Sequence, residues 1–139
     1  MKLAWLTIVV GLAACDGTRI PQQHLVPPAD PSFTLLVSNQ SFELDPVDIT
    51  IRLDDQLAVT GDFRVEGQHT WLPFEFGLAD GVHTIAIRTA DADASLTETF
   101  TIDGDRWGVV MFWYYPPGSG EPTPPQFSWS VHDEPPQFQ

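Results

Sequence analysis

Val47-Asp48-Ile49-Thr50-Ile51-Arg52-Leu53 alternates apolar and polar side chains without a break, and Asp54-Asp55 follows at once. A period of two sends every second side chain to the same face of an extended chain. One face of this stretch is therefore suited to a core and the other to water. An α-helix would need a period near 3.6, which these residues lack. Two consecutive Asp suit a tight turn between strands. Beyond them Leu57, Val59, Phe63 and Val65 alternate with Ala58, Thr60, Asp62 and Arg64, with Gly61 as a candidate bulge.

The same period holds on both sides of this hairpin. Phe33, Leu35 and Val37 alternate with Thr34, Leu36 and Ser38. Leu72, Phe74 and Phe76 share a face opposite Trp71, Pro73 and Glu75. His83, Ile85 and Ile87 follow, then Leu96, Phe100 and Ile102, then two further runs at 107–115 and 126–132. Gly67, Asp80-Gly81, Asp91-Ala92-Asp93 and Asp103-Gly104-Asp105 supply the turns. No 3.6-residue period occurs after the N-terminal run, so the expectation is an all-β domain. Seven to eight short strands over residues 32–132 point to an antiparallel β-sandwich.

Leu78-Ala79-Asp80-Gly81-Val82-His83-Thr84-Ile85-Ala86-Ile87 resembles the entry to the penultimate strand of immunoglobulin-like and fibronectin-III-like domains of bacterial surface proteins. The resemblance covers Phe33 to Ile102. It implies an Ig-like sandwich in which the His83 side chain bonds back to the loop before it, a structural role. The core cysteine pair of many such domains is missing, and the chain after Ile102 runs beyond seven ordinary strands.

Composition narrows the partners. The chain has 139 residues, 42% of them apolar, with 19 Asp and Glu against 6 Lys and Arg. That length suits one domain with a packed core. A net charge of −13 excludes charge-driven binding to nucleic acid or anionic lipid, because counterion release needs a basic patch.

At the N-terminus, Lys2 precedes an apolar run from Leu3 to Ala14, with small residues before Cys15. This is the plan of an export signal, and the run is too short to span a bilayer, which takes about 20 residues. Leu12-Ala13-Ala14-Cys15 resembles the lipobox of bacterial lipoproteins. The resemblance implies a signal peptide over 1–14, cleavage before Cys15 and lipidation of that cysteine. The protein would then be anchored in a membrane by acyl chains, on the periplasmic or cell-surface side. Asp16 resembles an inner-membrane retention signal, a rule that is not universal, so inner and outer membrane both stay open. Lys2 is the only lysine, so after cleavage five Arg face 19 carboxylates and the net charge is −14. Residues 15–31 contain Pro21, Pro27, Pro28 and Pro31 without periodicity. They read as a tether, up to about 50 Å long if fully extended at about 3.1 Å per residue. His24 within it reads as solvated, and residues 133–139 read as a C-terminal tail.

Chemistry is thin by comparison. No catalytic constellation is visible: Gly118-Ser119-Gly120 sits among prolines without the strand-to-helix turn of a nucleophile elbow, and no cofactor motif occurs. His69 and His132 are far apart for a joint metal site. Asp91, Asp93 and Ser95 begin like a calcium loop, but Leu96 and Ile102 stand where Gly and Glu are needed. Asp103 and Asp105 are weak calcium candidates if the topology brings them beside Glu43, Asp45 and Asp48. The strongest binding signal is Trp107-Gly108-Val109-Val110-Met111-Phe112-Trp113-Tyr114-Tyr115. Alternation puts Trp107, Val109, Met111, Trp113 and Tyr115 on one face. Such a strand is either buried on both faces or leaves one as an open aromatic strip. In the second case Trp107, Trp113 and Tyr115 are candidate ligand-binding residues, Trp71 and Trp129 could extend the strip, and the Pro-rich loop 116–125 would rim it. The expected function is a non-enzymatic envelope module for a protein partner, with a cell-wall glycan as the alternative.

Overall fold

The computed structural model describes residues 17–41, 43–65 and 70–138. Among these residues there are nine strands and no helix. They are β1 (Gln22–Gln23), β2 (Phe33–Asn39), β3 (Val47–Leu53), β4 (Gln56–Phe63), β5 (Leu72–Phe76), β6 (Gly81–Thr89), β7 (Ala94–Ile102), β8 (Arg106–Tyr115) and β9 (Thr123–His132). They form a β-sandwich of a five-stranded sheet, β1-β4-β3-β6-β7, and a four-stranded sheet, β5-β2-β8-β9. Pairing is antiparallel except between β2 and β8, which run parallel from Phe33↔Arg106 to Asn39↔Phe112.

The predicted alternation is realised as inward and outward faces except in β4, where the bulge falls at Ala58, opposite the Ile51/Arg52 step, and not at Gly61, so that Ala58 is buried beside Val59. Val47, Ile49, Ile51 and Leu53 are buried, whereas Thr50 is half-buried and Arg52 exposed. Asp54 and Asp55 adopt φ of 49° and 63°, the pair of left-handed residues that a two-residue hairpin needs to match strand twist. The turn is tied to β6 as well: Asp54 N donates to Thr84 O at 2.9 Å, and Thr84 N donates to Asp54 Oδ1 at 2.9 Å.

Phenylalanines carry the interior. Phe33, Phe63, Phe76 and Phe112 are all fully buried, and Phe33 stacks on Phe100 across the two sheets at 5.2 Å. Gly108 is required by this packing. A Cβ there would lie 2.6 Å from the Trp129 ring and 2.7 Å from Phe33, closer than carbon atoms approach.

The N-terminal segment differs from a free tether over part of its length. Gln22 and Gln23 pair with Thr60 and Val59 on the edge of β4. Asp62 N donates to Arg19 O at 2.7 Å and His24 N donates to Ala58 O at 2.8 Å. Gln23 then reaches the other sheet, its Nε2 donating to Glu75 O at 2.8 Å and its Oε1 accepting from Glu75 N at 3.2 Å. Gly61 lets this segment approach closely, since a Cβ on it would lie 2.4 Å from Pro21 Cα. An unpaired edge strand exposes a row of N–H and C=O groups, and the docked segment covers those of β4. The extended backbone that the prolines favour is compatible with this edge pairing. Cys15, Asp16, Gly67 and His69 lie outside the described residues.

Candidate binding face

In β8 the inward side chains are Val110 and Phe112, both fully buried in the core, and Tyr114, half-buried against it. Trp107, Val109, Met111, Trp113 and Tyr115 therefore point out of the four-stranded sheet, and all but Val109 are half-buried. The strand has a buried apolar face and a partly open aromatic one, which combines the two sequence readings. Neighbouring strands supply the rest of the outer face. Leu36 stands beside Val109 and Ser38 beside Met111. On the other side Ser130 faces Val109, Ser128 faces Met111 and His132 faces Trp107.

Polar partners hold this face in place. Trp113 Nε1 donates to Ser128 Oγ at 3.0 Å, so the indole lies along the sheet with its N–H satisfied. Trp113 and Tyr115 meet edge to face with centroids 6.1 Å apart. Ser130 Oγ and His132 Nε2 are 2.9 Å apart on the β9 side. An apolar stripe between hydroxyl-bearing rows offers ring stacking in its middle and hydrogen bonds at its rim.

Of the two further tryptophans, one joins the strip. Trp71 precedes β5, whose Leu72 pairs with Val37, and alternation places it beside Ser38 on the outer face. Trp129 points inward instead, packing on Phe33 and Phe100 at centroid distances of 6.5 Å and 5.4 Å. The reason is register: Trp129 pairs with Val110, an inward residue, and the missing side chain of Gly108 makes room for its ring. The loop after β8 is shorter than expected, because Thr123–Pro125 already belong to β9. Ser119 sits exposed in its turn, with Oγ donating to Pro116 O at 2.7 Å.

The acidic candidates are not gathered. Asp103 and Asp105 occupy the exposed connection from β7 to β8, near the end where Ile102 pairs with Gly81. Asp48 lies at the opposite end of the β6–β7 hairpin. Its carboxylate accepts from Thr89 Oγ1 at 2.6 Å, Ala90 N at 3.0 Å and Asp91 N at 2.9 Å. Partial burial pushes the Asp48 carboxyl up, but those donors outweigh it and hold it below the usual carboxylate range. Asp91 is thereby spent on shaping a turn, and Asp45 Oδ1 accepts from Val65 N at 3.0 Å. Among the described residues no three His, Cys, Asp or Glu side chains converge as a metal-binding group.

His83 does bond back to the preceding loop, with Nε2 2.6 Å from Ala79 O, and its Nδ1 lies 2.6 Å from Asp54 Oδ2. Both neighbours only accept, so the doubly protonated ring suits them best. Desolvation lowers the His83 pKa, but the Asp54 and Ala79 bonds raise it further, and the net shift is upward. For Asp54, desolvation is outweighed by bonds from His83 and Thr84, and its pKa falls.

Two features of the outer face were missed by reading the strands alone: Leu36 as a floor residue, and the chain end. Pro135, Pro136 and the aromatic Phe138 were the available signal for the latter. Compared with protein-family models, with curated proteins and with solved structures, the chain matches none.

Proposed function

We propose that this chain is a lipid-anchored, non-enzymatic binding module of the bacterial cell envelope, held to its membrane through Cys15 and meeting a protein partner through the outer face of the four-stranded sheet. The observation that carries the reading is the half-buried strip of Trp107, Met111, Trp113 and Tyr115 along β8. Large apolar side chains on the water side of a sheet are uncommon without something to cover them. Aromatic rings also give contact area at small entropic cost. The lipobox-like Leu12-Ala13-Ala14-Cys15 supports the anchor. A strongly acidic domain on such an anchor would stand off anionic headgroups and leave the face free for a partner.

A glycan is the second reading, favoured by the flat rings of Trp107, Trp113 and Tyr115, on which sugars stack. Photo-cross-linking from position 113 in intact envelopes separates the two. A discrete protein adduct lost on Trp107→Ala supports the protein reading. Co-sedimentation with cell-wall polysaccharide and a tryptophan emission shift supports the glycan instead, and repeating it with Ca²⁺ tests Asp103 and Asp105. The anchor is checked by metabolic lipid labelling: Cys15→Ala abolishes the label, and normal labelling of that variant ends the lipoprotein reading.

A further inference from the structure

The chain leaves β9 at His132, whose register partner is Trp107 near the start of β8. Six residues later the Phe138 ring stacks on Trp71, centroids 3.7 Å apart and planes within 6°. Trp71 adjoins Leu72 at the start of β5, the opposite edge of the same sheet and the opposite end of its rows. Crossing three strand spacings of about 4.8 Å while advancing four residues of about 3.3 Å makes a diagonal of about 20 Å. Six extended residues reach about 20 Å. The segment therefore runs from corner to corner, with the two rings bridging what the backbone does not cover. It crosses on the outer side, because the inner side is filled by the core.

Burial agrees with that path. The row midway along the diagonal contains Leu36, Val109 and Ser130. Val109 is 2% exposed although it lies outside the core cluster, so its cover comes from the outer side. Pro136 is half-buried in the crossing segment, while Asp133 and Glu134 are exposed. Consecutive prolines hold the chain extended before it docks, which lowers the entropic cost of laying it on an aromatic surface.

We propose that Asp133–Phe138 is a built-in strap over the binding face, and that the partner displaces it with a segment of the same chemistry, an extended proline-rich peptide carrying an aromatic side chain. This rests on the outer face being the binding surface. Phe138, 40% exposed, is the releasable end of the strap.

The test uses the full-length protein in detergent, a variant ending at His132, and Phe138→Ala. The probe is a fluorescein-labelled peptide Asp-Glu-Pro-Pro-Gln-Phe-Gln, read by anisotropy. The shortened chain should bind it about tenfold more tightly than the full chain, since a tethered competitor acts at an effective concentration of millimolar order. Phe138→Ala should fall between them and increase acrylamide quenching of tryptophan, which guards against a truncation that fails to fold. Met111→Arg on the shortened chain should abolish binding with the β-sheet circular dichroism intact. Equal peptide affinity for both lengths, or no binding by a folded shortened chain, overturns the strap. If an envelope adduct or glycan forms equally with and without residues 133–138, the strap is overturned while the binding face stands. If the strap gates the peptide but no envelope component touches the face, the strap stands and the proposed function falls.

Discussion

The two outer faces of this sandwich are built by the same alternation and end up unlike each other. On the five-stranded sheet the outward side chains of β3, β6 and β7 include Thr50, Arg52, Thr84, Arg88, Thr97, Thr99 and Thr101 beside the exposed Val82, a mainly hydroxyl and guanidinium surface in which only Thr50 and Thr84 of these are half-buried. On the four-stranded sheet the corresponding positions of β8 are Trp107, Val109, Met111, Trp113 and Tyr115. The first face satisfies its surroundings with solvent alone. The second needs a cover, and the C-terminal segment supplies part of one. The side of a sheet that carries aromatic residues where water is expected is the side at which another chain segment or molecule is to be sought.

The sharpest test of this contrast uses one substitution at three depths. Ile49→Asp puts a carboxylate in the core and should destabilise the fold by several kcal/mol, measured by urea denaturation. Thr50→Asp, its outward neighbour, should stay within about 1 kcal/mol of the parent chain. Val109→Asp is also outward, but it should resemble Ile49→Asp, with a loss of about 2–4 kcal/mol. A small effect at Val109 would mean that the two outer faces are equally wet.

Gly61→Ala probes the other covered element, the β4 edge. A Cβ 2.4 Å from Pro21 Cα forces the N-terminal segment outward, and overpacking of this kind costs about 1–3 kcal/mol. Amide exchange should quicken at His24 while core amides of β3 keep their protection. Uniform loss of protection would place Gly61 in the core instead.

Phe138→Ala removes one stacked pair, worth about 0.5–1.5 kcal/mol. Its equilibrium effect should be small, with the change concentrated in tryptophan quenching of the four-stranded face.

The smallest expected effect lies in the five-stranded sheet, where His83 packs against Phe100. Folded His83 keeps its proton to a higher pH than the unfolded side chain. The stabilisation it gains from Asp54 and Ala79 is therefore complete below about pH 6.5 and is lost as pH rises through the raised folded value. Asp54, with its pKa lowered, loses its share as pH falls through the carboxylate range. Water reaches half of Asp54, so the pair contributes about 1 kcal/mol or less. His83→Gln should flatten the stability profile on the alkaline side and leave quenching of the β8 tryptophans unchanged.

Much of this was legible in the residues. Period-two alternation in Val47–Leu53, with the Asp54-Asp55 turn after it, identifies a hairpin because no other regular structure places those side chains usefully. The expected runs from Phe33 onward each overlap one of β2 to β9, with β4 ending at Phe63 before the expected Val65 and β9 starting at Thr123 before the expected 126. The aromatic candidates in β8 were legible as a strip but not as exposed or buried, since that depends on what lies opposite. Trp129 reads like a second strip residue, yet the absence of a Gly108 side chain turns it into core. Asp103 and Asp48 look close in a chain of acidic turns, but a hairpin puts them at opposite ends.

Sequence alone determined β2 to β9, most of their inward faces and the hairpin turns, because these follow from local alternation and from which residues tolerate left-handed backbone. Tertiary structure decided which of two outward faces is covered and by what. Trp71 and Phe138, which stack there, are far apart in the chain and are brought together only by strand order and register.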